Sequence, residues 1–203
     1  MPFIIGLTGG IGCGKSSATN FFAAHGIDII DTDQIAHELT QPTGKAVDII
    51  QKTFGTELVT KDGALDRSRM RKLVFSNQSL KDKLEAILHP LIYQEVVHRI
   101  SFASSAYIIV AVPLLLETKE FQKLVDRILV IDCTEQLQIS RTIARSKLNE
   151  QEVRAIMATQ ASRKDRLAQA DDIIVNDQDL DYLHNQVEML HLKYLALSKD
   201  KSS

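Results

Sequence analysis

Leu7-Thr8-Gly9-Gly10-Ile11-Gly12-Cys13-Gly14-Lys15-Ser16 is the stretch on which the reading of this chain turns. From Gly9 to Ser16 it fits G-x-x-x-x-G-K-[ST], a loop whose backbone N–H groups wrap phosphates while the Lys and the hydroxyl meet phosphate and Mg²⁺. Working outward, Phe3-Ile4-Ile5-Gly6-Leu7 precedes it as a short apolar run, the pattern of a buried strand. After it, Ser16 to Ala24 predicts a helix, with Gly26 placed as a C′ glycine. A glycine-rich turn with an incidental Lys would need neither flank. Strand, loop and helix in this order put converging N–H groups at a helix N-terminus, where the macrodipole also favours an anion. Lys15 is then placed to neutralise the β/γ-phosphates and Ser16 to ligate the Mg²⁺ bridging them.

The rest of the chain bounds what such a loop serves. Its 203 residues can bury one sizeable core and a small insertion. A net charge of −2 gives no broad reason to expect nucleic acid. No run approaches about eighteen apolar residues, so no membrane span is expected, and the N-terminus has no secretory pattern. Cys13 and Cys133 are too few for a disulfide framework, which suits a reducing cytoplasm. Cys13 also precedes a helix N-terminus in an electropositive loop, a setting that lowers a thiol pKa, so its alkylation is expected to slow when nucleotide is bound.

A second strand, Ile27 to Asp31, leads to Asp31-Thr32-Asp33. If the extended conformation runs on, both carboxylates point the same way, toward the crevice at the carboxyl ends of parallel strands. The alternative is that the triplet caps a helix starting near Gln34. From Thr40 to Ser104 the pattern is helical, with segments at Lys45–Phe54, Asp66–Phe75, Leu80–Leu88 and Leu91–Phe102, and His89-Pro90 reads as a stop and restart. Arg67, Arg69, Arg71 and Lys72 make part of this insertion basic, either a solvated face or an anion site. Ala106–Val112 and Arg127–Asp132 read as strands three and four, the latter an apolar run closed by an acid in the manner of a Walker B segment. Between Glu135 and Leu167 lies a helical, basic segment with Arg141, Arg145, Lys147, Arg154, Arg163, Lys164 and Arg166. Arg141 and Arg145 share a helix face at i,i+4, as an arginine-bearing lid would need and as a plain basic helix would also show. Asp172–Asn176 gives a fifth strand and Leu180–Leu197 an amphipathic closing helix; Ser198–Ser203 are expected to fray.

Strands alternating with helices predict an α/β fold, a mostly parallel five-stranded sheet with helices on both faces. No N-K-x-D base-recognition motif of a GTPase occurs. A phosphate loop, a second pocket and a lid make a small-molecule phosphotransferase plan, with Asp33 placed as a base for an acceptor hydroxyl.

Several collinear elements resemble dephospho-coenzyme A kinases. They are the loop itself, Ile30-Asp31-Thr32-Asp33-Gln34-Ile35-Ala36-His37, Leu65-Asp66-Arg67 with Arg71 and Val74-Phe75, and Leu88-His89-Pro90-Leu91-Ile92. Val112-Pro113-Leu114-Leu115-Leu116-Glu117 continues the match, as do Gln138 with Arg141 and Arg145, then Gln160, Arg163, Arg166, Ala170-Asp171 and Asn176. Leu116, Ser146 and Asn176-Asp177-Gln178 depart from the family's aromatic residue, acid and N-x-G. The resemblance implies a P-loop kinase fold and ATP-dependent phosphorylation of the ribose 3′-hydroxyl of dephospho-CoA, with Mg²⁺, in the cytoplasm. It implies Asp33 as base, with Lys15, Arg141 and Arg145 stabilising the transferring phosphoryl. Gly10, Ile11, Gly12, Cys13, Gly14, Lys15, Ser16 and Ser17 would hold ATP with Arg141 and Asn176, and Ser16 would meet the metal. Thr8, Asp33, Arg67, Arg71, His89, Pro113 and Leu114 would hold the acceptor. The metal's second acidic partner stays open among Asp31, Asp33 and Asp132. The implied organisation is a core of residues 1–33, 105–133 and 168–203, a helical acceptor domain at 34–104 and a lid at 134–167. Small-molecule substrates, no nucleic acid, no membrane and a monomer are expected. The competing readings are a kinase of another metabolite or a nucleoside monophosphate, and a nucleotide-binding regulator without catalysis.

Overall fold

The computed structural model describes residues 2–75, 77–146 and 148–202. Lys147 of the basic segment and Ser203 of the C-terminal tail lie outside them. The chain divides into two compact units, Met1–Asp31 with Phe102–Ser203, and Thr32–Ser101.

The first unit holds five strands among the described residues: β1 (Phe3–Gly9), β2 (Asp28–Asp31), β3 (Tyr107–Ala111), β4 (Arg127–Asp132) and β5 (Asp172–Val175). They form one parallel sheet in the order β2-β3-β1-β4-β5. All seven residues of β1 are buried, as expected of a central strand covered on both faces. Because β3 lies on one side of β1 and β4 on the other, the strand order reverses at β1. Open α/β sheets bind their ligands outside the carboxyl ends of the strands at such a reversal. The glycine loop leaves β1 at that end and enters α1 (Lys15–Ala24).

One face of the sheet is closed by α1 and the C-terminal α10 (Leu180–Ser202). Phe22, Tyr107 and Tyr194 form its aromatic centre, the Tyr107 and Tyr194 rings meeting edge to face at 5.5 Å. Buried Asp172 is satisfied three times, by Arg127 Nε at 3.0 Å, Lys193 Nζ at 2.5 Å and the Tyr194 hydroxyl at 3.2 Å. The predicted fraying of Ser198–Ser203 is not what residues 198–202 do, since α10 runs to Ser202. Ser198 is buried, and Lys201 Nζ donates to both carboxylate oxygens of Asp126 and to the Pro2 carbonyl, clamping the last turn.

Between these helices His25, His191 and His184 stack, with ring centroids 4.5 Å (His25–His191) and 6.2 Å (His25–His184) apart. Nδ1 of His191 meets the Tyr107 hydroxyl at 2.8 Å. Burial first, then the neighbouring His25, hold the His191 pKa below its usual value, against the pull of Glu188. A base with a depressed folded pKa binds its proton more readily when unfolded. Its stabilising contribution is therefore complete above about pH 6.5 and declines as pH falls below that. Thermal midpoints of the wild type should drop from pH 7 to 5.5 more steeply than those of His191→Gln; parallel profiles would show that folding does not shift the His191 proton equilibrium.

The basic segment 135–169 belongs to the first unit and forms α7 (Glu135–Arg145), α8 (Glu150–Ala158) and α9 (Arg163–Gln169), while α6 (Lys119–Gln122) follows β3. Each of α7 to α9 starts on a side-chain cap: Thr134, Asn149 in a capping box with Glu152, and Ser162.

The second unit contains α2 (Thr32–Leu39), α3 (Val47–Phe54), α4 (Arg67–Phe75) and α5 (Gln78–Phe102), which runs one residue beyond it. Ile35, Leu39, Ile50, Met70, Ile92 and Val96 are among its buried apolar side chains. Arg99 ties α5 to α2 through Glu38 and to Glu95 one turn back. Two expectations change here. The predicted stop and restart at His89-Pro90 is absent, because α5 is one helix with Pro90 inside it. Nor does the extended conformation run through Asp33: β2 ends at Asp31 and α2 begins at Thr32, so Asp31 and Asp33 share no strand face. Among the described residues no helix is long and apolar enough to cross a membrane.

Candidate active site

The loop between β1 and α1 is held from beneath by side chains that are far away in sequence. Gly14 is the N-cap of α1 with φ 93°, a left-handed conformation closed to most residues. A Cβ there would lie 2.1 Å from Nδ2 of Asn176, which donates to the Cys13 carbonyl at 2.7 Å. At Gly12 a Cβ would lie 2.6 Å from the Gln138 carbonyl oxygen and 2.7 Å from the Thr142 hydroxyl, so α7 is pressed against the loop. The Ile11 N–H donates to Oε1 of Gln160 at 3.1 Å. Gly14→Ala should therefore lose affinity for a phosphate ligand, and any turnover that depends on it, by roughly tenfold or more, since backbone strain of about 1–3 kcal/mol joins a displaced Asn176. Gly26, also left-handed but with nothing near its Cβ position, is the control, and Gly26→Asn should leave both intact. Equal behaviour of the two variants in calorimetric titrations with a nucleoside triphosphate would contradict this account of the loop.

Lys15 opens α1, and its Nζ donates to the carbonyls of Gly9 at 2.8 Å and Gly10 at 3.3 Å, so the ammonium lies across the loop. Ser16 is exposed in the first turn, beside half-buried Ser17. Thr8 is buried on β1 and its hydroxyl donates to the Pro113 carbonyl at 3.2 Å, stitching the loop's entry to the turn after β3; Leu114 next to it is exposed. Arg141 donates to the Asn176 carbonyl at 2.8 Å, which puts those two residues together beside Cys13. Arg145, a turn further along α7, is exposed.

Asp132, at the end of β4, is buried, and both its oxygens accept from Arg163 at 2.6–3.1 Å. This chelation leaves the Walker B-like acid committed to an arginine. Cys133, next along, donates its S–H to the Cys13 sulfur at 3.4 Å. That bond is the main reason the Cys13 thiol falls to about 7, with burial opposing and Lys15 and Arg166 assisting; the bond to the Cys13 sulfur, then burial, push Cys133 up. The helix terminus that the sequence suggested is thus not the leading cause. Cys13 is also fully buried, so a bulky alkylating reagent meets little of it with or without nucleotide.

In the second unit, Arg67 Nε and Nη2 donate to the Thr40 hydroxyl at 3.3 and 3.2 Å. Burial lowers the Arg67 pKa, Asp33 raises it and Arg71 lowers it, so Asp33, Arg67 and Arg71 share one electrostatic neighbourhood. His89 is exposed on α5, and among the described residues no hydrogen bond or ion pair joins it to that group.

Gln138, Thr142, Gln160 and Arg166 had no assigned role in the sequence reading, yet they underlie the loop. Gln138 Oε1 and Thr142 Oγ1 are buried acceptors without a partner among the described residues, and Arg166, itself buried, donates to the Ala161 carbonyl. A cavity of about 360 Å³ borders Gln138, Gln160 and Arg166, lined also by Glu135, Arg154 and Arg163. Helical spacing could have revealed two of these residues, because Gln138, Arg141, Thr142 and Arg145 recur at three and four on α7. Nothing local marks Gln160, which reaches the loop from the junction between α8 and α9.

The arrangement is an anion cradle at a helix N-terminus, with a cation across it and a hydroxyl at its edge. A dephospho-CoA kinase family model matches residues 3–181. A dephospho-CoA kinase of Nitrosomonas europaea is 60% identical over 199 residues, covering 98% of each chain. Among solved structures, TT1252 of Thermus thermophilus is 26% identical with a TM-score of 0.82, covering 95% of this chain and 97% of that one. A dephospho-CoA kinase of Campylobacter jejuni is 25% identical with a TM-score of 0.71, covering 99% and 100%. A chain with this loop on this sheet, matched to one family along nearly its whole length, belongs to the dephospho-CoA kinase family.

Proposed function

We propose that the protein transfers the γ-phosphoryl group of ATP to the ribose 3′-hydroxyl of dephospho-CoA, giving coenzyme A and ADP, the last step of coenzyme A synthesis. The observation that carries this is the loop of residues 9–16 at the carboxyl end of the central strand, in a chain 60% identical to a dephospho-CoA kinase of equal extent. The backbone from Gly10 to Ser17, with the α1 dipole, holds the phosphates. Lys15 exchanges its bonds to the Gly9 and Gly10 carbonyls for phosphate oxygens as charge develops on the transferring group. Arg141 and Arg145 on α7 add positive charge from the segment 134–167, which acts as the lid that excludes water. Arg141 and Asn176, joined at 2.8 Å, border the adenine.

The exposed Ser16 hydroxyl is an oxygen donor of the kind Mg²⁺ accepts alongside phosphate oxygens and water, so the loop fits that ion. Ser16 would hold it, and a bound ion would supply positive charge against that of the phosphates. With Asp132 chelated by Arg163, the acid that would assist Ser16 is Asp31 or Asp33.

Asp33 accepts the proton of the 3′-hydroxyl as the oxygen attacks phosphorus, and ADP leaves. Its place two residues past the end of β2, in the first turn of α2, supports this role. Arg67 and Arg71, in its electrostatic neighbourhood, suit an anionic acceptor; His89 further along the same unit, Pro113 and Leu114 at the turn after β3, and Thr8 on β1, bonded to Pro113, complete the proposed set. Two free thiols are in keeping with a cytoplasmic location.

ADP release measured over a panel of acceptors tests the reading. Turnover with dephospho-CoA should exceed that with adenosine monophosphate by roughly 10²-fold or more in kcat/KM. Turnover with adenosine monophosphate but not dephospho-CoA would make this a kinase of another acceptor, and ATP binding without turnover of any acceptor would make it a regulator.

A further inference from the structure

We propose that Cys13 and Cys133 are an oxidisable dithiol whose closure to a disulfide by a hydroperoxide switches off the nucleotide loop. The inference rests on the reading of that loop as the ATP cradle. The two residues are the only cysteines in the chain, both are free and buried, and they follow the carboxyl ends of two paired parallel strands, Cys13 in the loop after β1 and Cys133 directly after β4. Cys13 sits between the two tightly packed loop glycines, and Cys133 directly follows Asp132.

Buried cysteines often serve as small apolar residues. This pair differs in two ways. Its sulfurs are 3.4 Å apart, roughly 1.3 Å more than a disulfide bond requires. The pair is also polarised, because the Cys133 S–H points at the Cys13 sulfur while Lys15 and Arg166 supply positive potential on the Cys13 side. A thiolate at Cys13 is the attacking species in such a setting.

The steps balance as follows. The Cys13 thiolate attacks one oxygen of the hydroperoxide, the O–O bond breaks, and the alcohol leaves after taking up a proton, with Cys13 left as a sulfenic acid. The Cys133 sulfur then attacks that sulfur, the S–O bond breaks, and the hydroxide departs as water with the Cys133 proton. Two thiols and one hydroperoxide become one disulfide, one alcohol and one water. Burial of both sulfurs favours hydrogen peroxide over a bulky disulfide as oxidant.

Closure has to move something. The Cys13 carbonyl is held by Asn176, and no room exists beside Gly12 or Gly14. If Cys133 moves instead, it draws on Asp132, whose carbonyl accepts from the Asn176 N–H at 2.8 Å and whose carboxylate holds Arg163. Either movement displaces the N–H groups that face phosphate, and a misplacement near 1 Å costs a positioned site roughly 10²-fold.

The test uses the full chain, reduced and then exposed to hydrogen peroxide, with peptide mapping under non-reducing conditions and ATP titration on the same samples. A linked Cys13–Cys133 peptide lighter by two hydrogens, a loss of ATP affinity of roughly 10²-fold and recovery of both with dithiothreitol are expected. Cys133→Ala should bind ATP normally when reduced and form no linked peptide. Thiols that stay free, a bridge only between two chains, or a linked peptide with unaltered ATP affinity would each overturn the proposal. A reduced protein that cross-links but never binds ATP would instead bring down the cradle reading, and the switch with it, while the dithiol chemistry stood.

Discussion

Asp33→Asn should lower kcat with dephospho-CoA by roughly 10²–10⁴-fold, the range for loss of a general base, while ATP and dephospho-CoA bind within a few-fold of the wild type. The substitution keeps the shape of the side chain and removes only the carboxylate proposed to accept the proton. Asp33 lies in the first turn of α2, where a carboxylate also favours the helix dipole, so a small loss of stability, typically 0.3–1 kcal/mol, accompanies the change. The two effects separate by readout. A dipole contribution moves the thermal midpoint and leaves kcat alone; the base moves kcat. Steady-state rates beside isothermal titrations decide, and kcat within threefold of the wild type would assign proton removal to another group.

Lys15→Ala should be as damaging, lowering kcat/KM by roughly 10²–10⁴-fold, because the charge proposed to meet the transferring phosphoryl is lost. ATP affinity should fall as well, which distinguishes this variant from Asp33→Asn. The fold should tolerate the change, with stability altered by about 0.5 kcal/mol or less. Lys15 is half-buried, and the loop is held independently by Asn176 at the Cys13 carbonyl and by Gln160 at the Ile11 N–H. A circular-dichroism melt and a kcat/KM measurement on one preparation suffice. Full ATP affinity in the variant would mean that the ammonium bond to the Gly9 carbonyl is the residue's main purpose.

The contrast between these residues and those beneath the loop shows what a sequence conveys. Phe3–Gly9, the loop and α1 were readable because each signal is local: an apolar run for a central strand, glycines for left-handed turns, a helical pattern ending at Gly26. The strands at β3 and β4 were legible for the same reason. The boundary at Thr32 was legible only in part: the capping alternative put a helix start near Gln34, two residues late, because a β-branched residue after a strand reads as more strand. At Pro90 the local rule misled. Proline removes one backbone donor and crowds the preceding turn, yet α5 continues, with Ile92 and Val96 buried at i,i+4 beyond it and Arg99 paired to Glu95. Residues 198–202 were misjudged because the clamp on Lys201 comes from Asp126 and Pro2, remote in sequence. The candidate site divides in the same way. Lys15, Ser16 and Asp33 are carried by motifs, whereas Gln160 at Ile11 and Arg163 on Asp132 depend on pairings that only the folded chain creates.

The most direct test of the central claim is phosphorus NMR of the product made by the wild-type protein from ATP and dephospho-CoA. The account predicts one new phosphomonoester on the ribose 3′-oxygen, in step with ADP. Phosphate released to water, or a phosphomonoester at any other position, would contradict it.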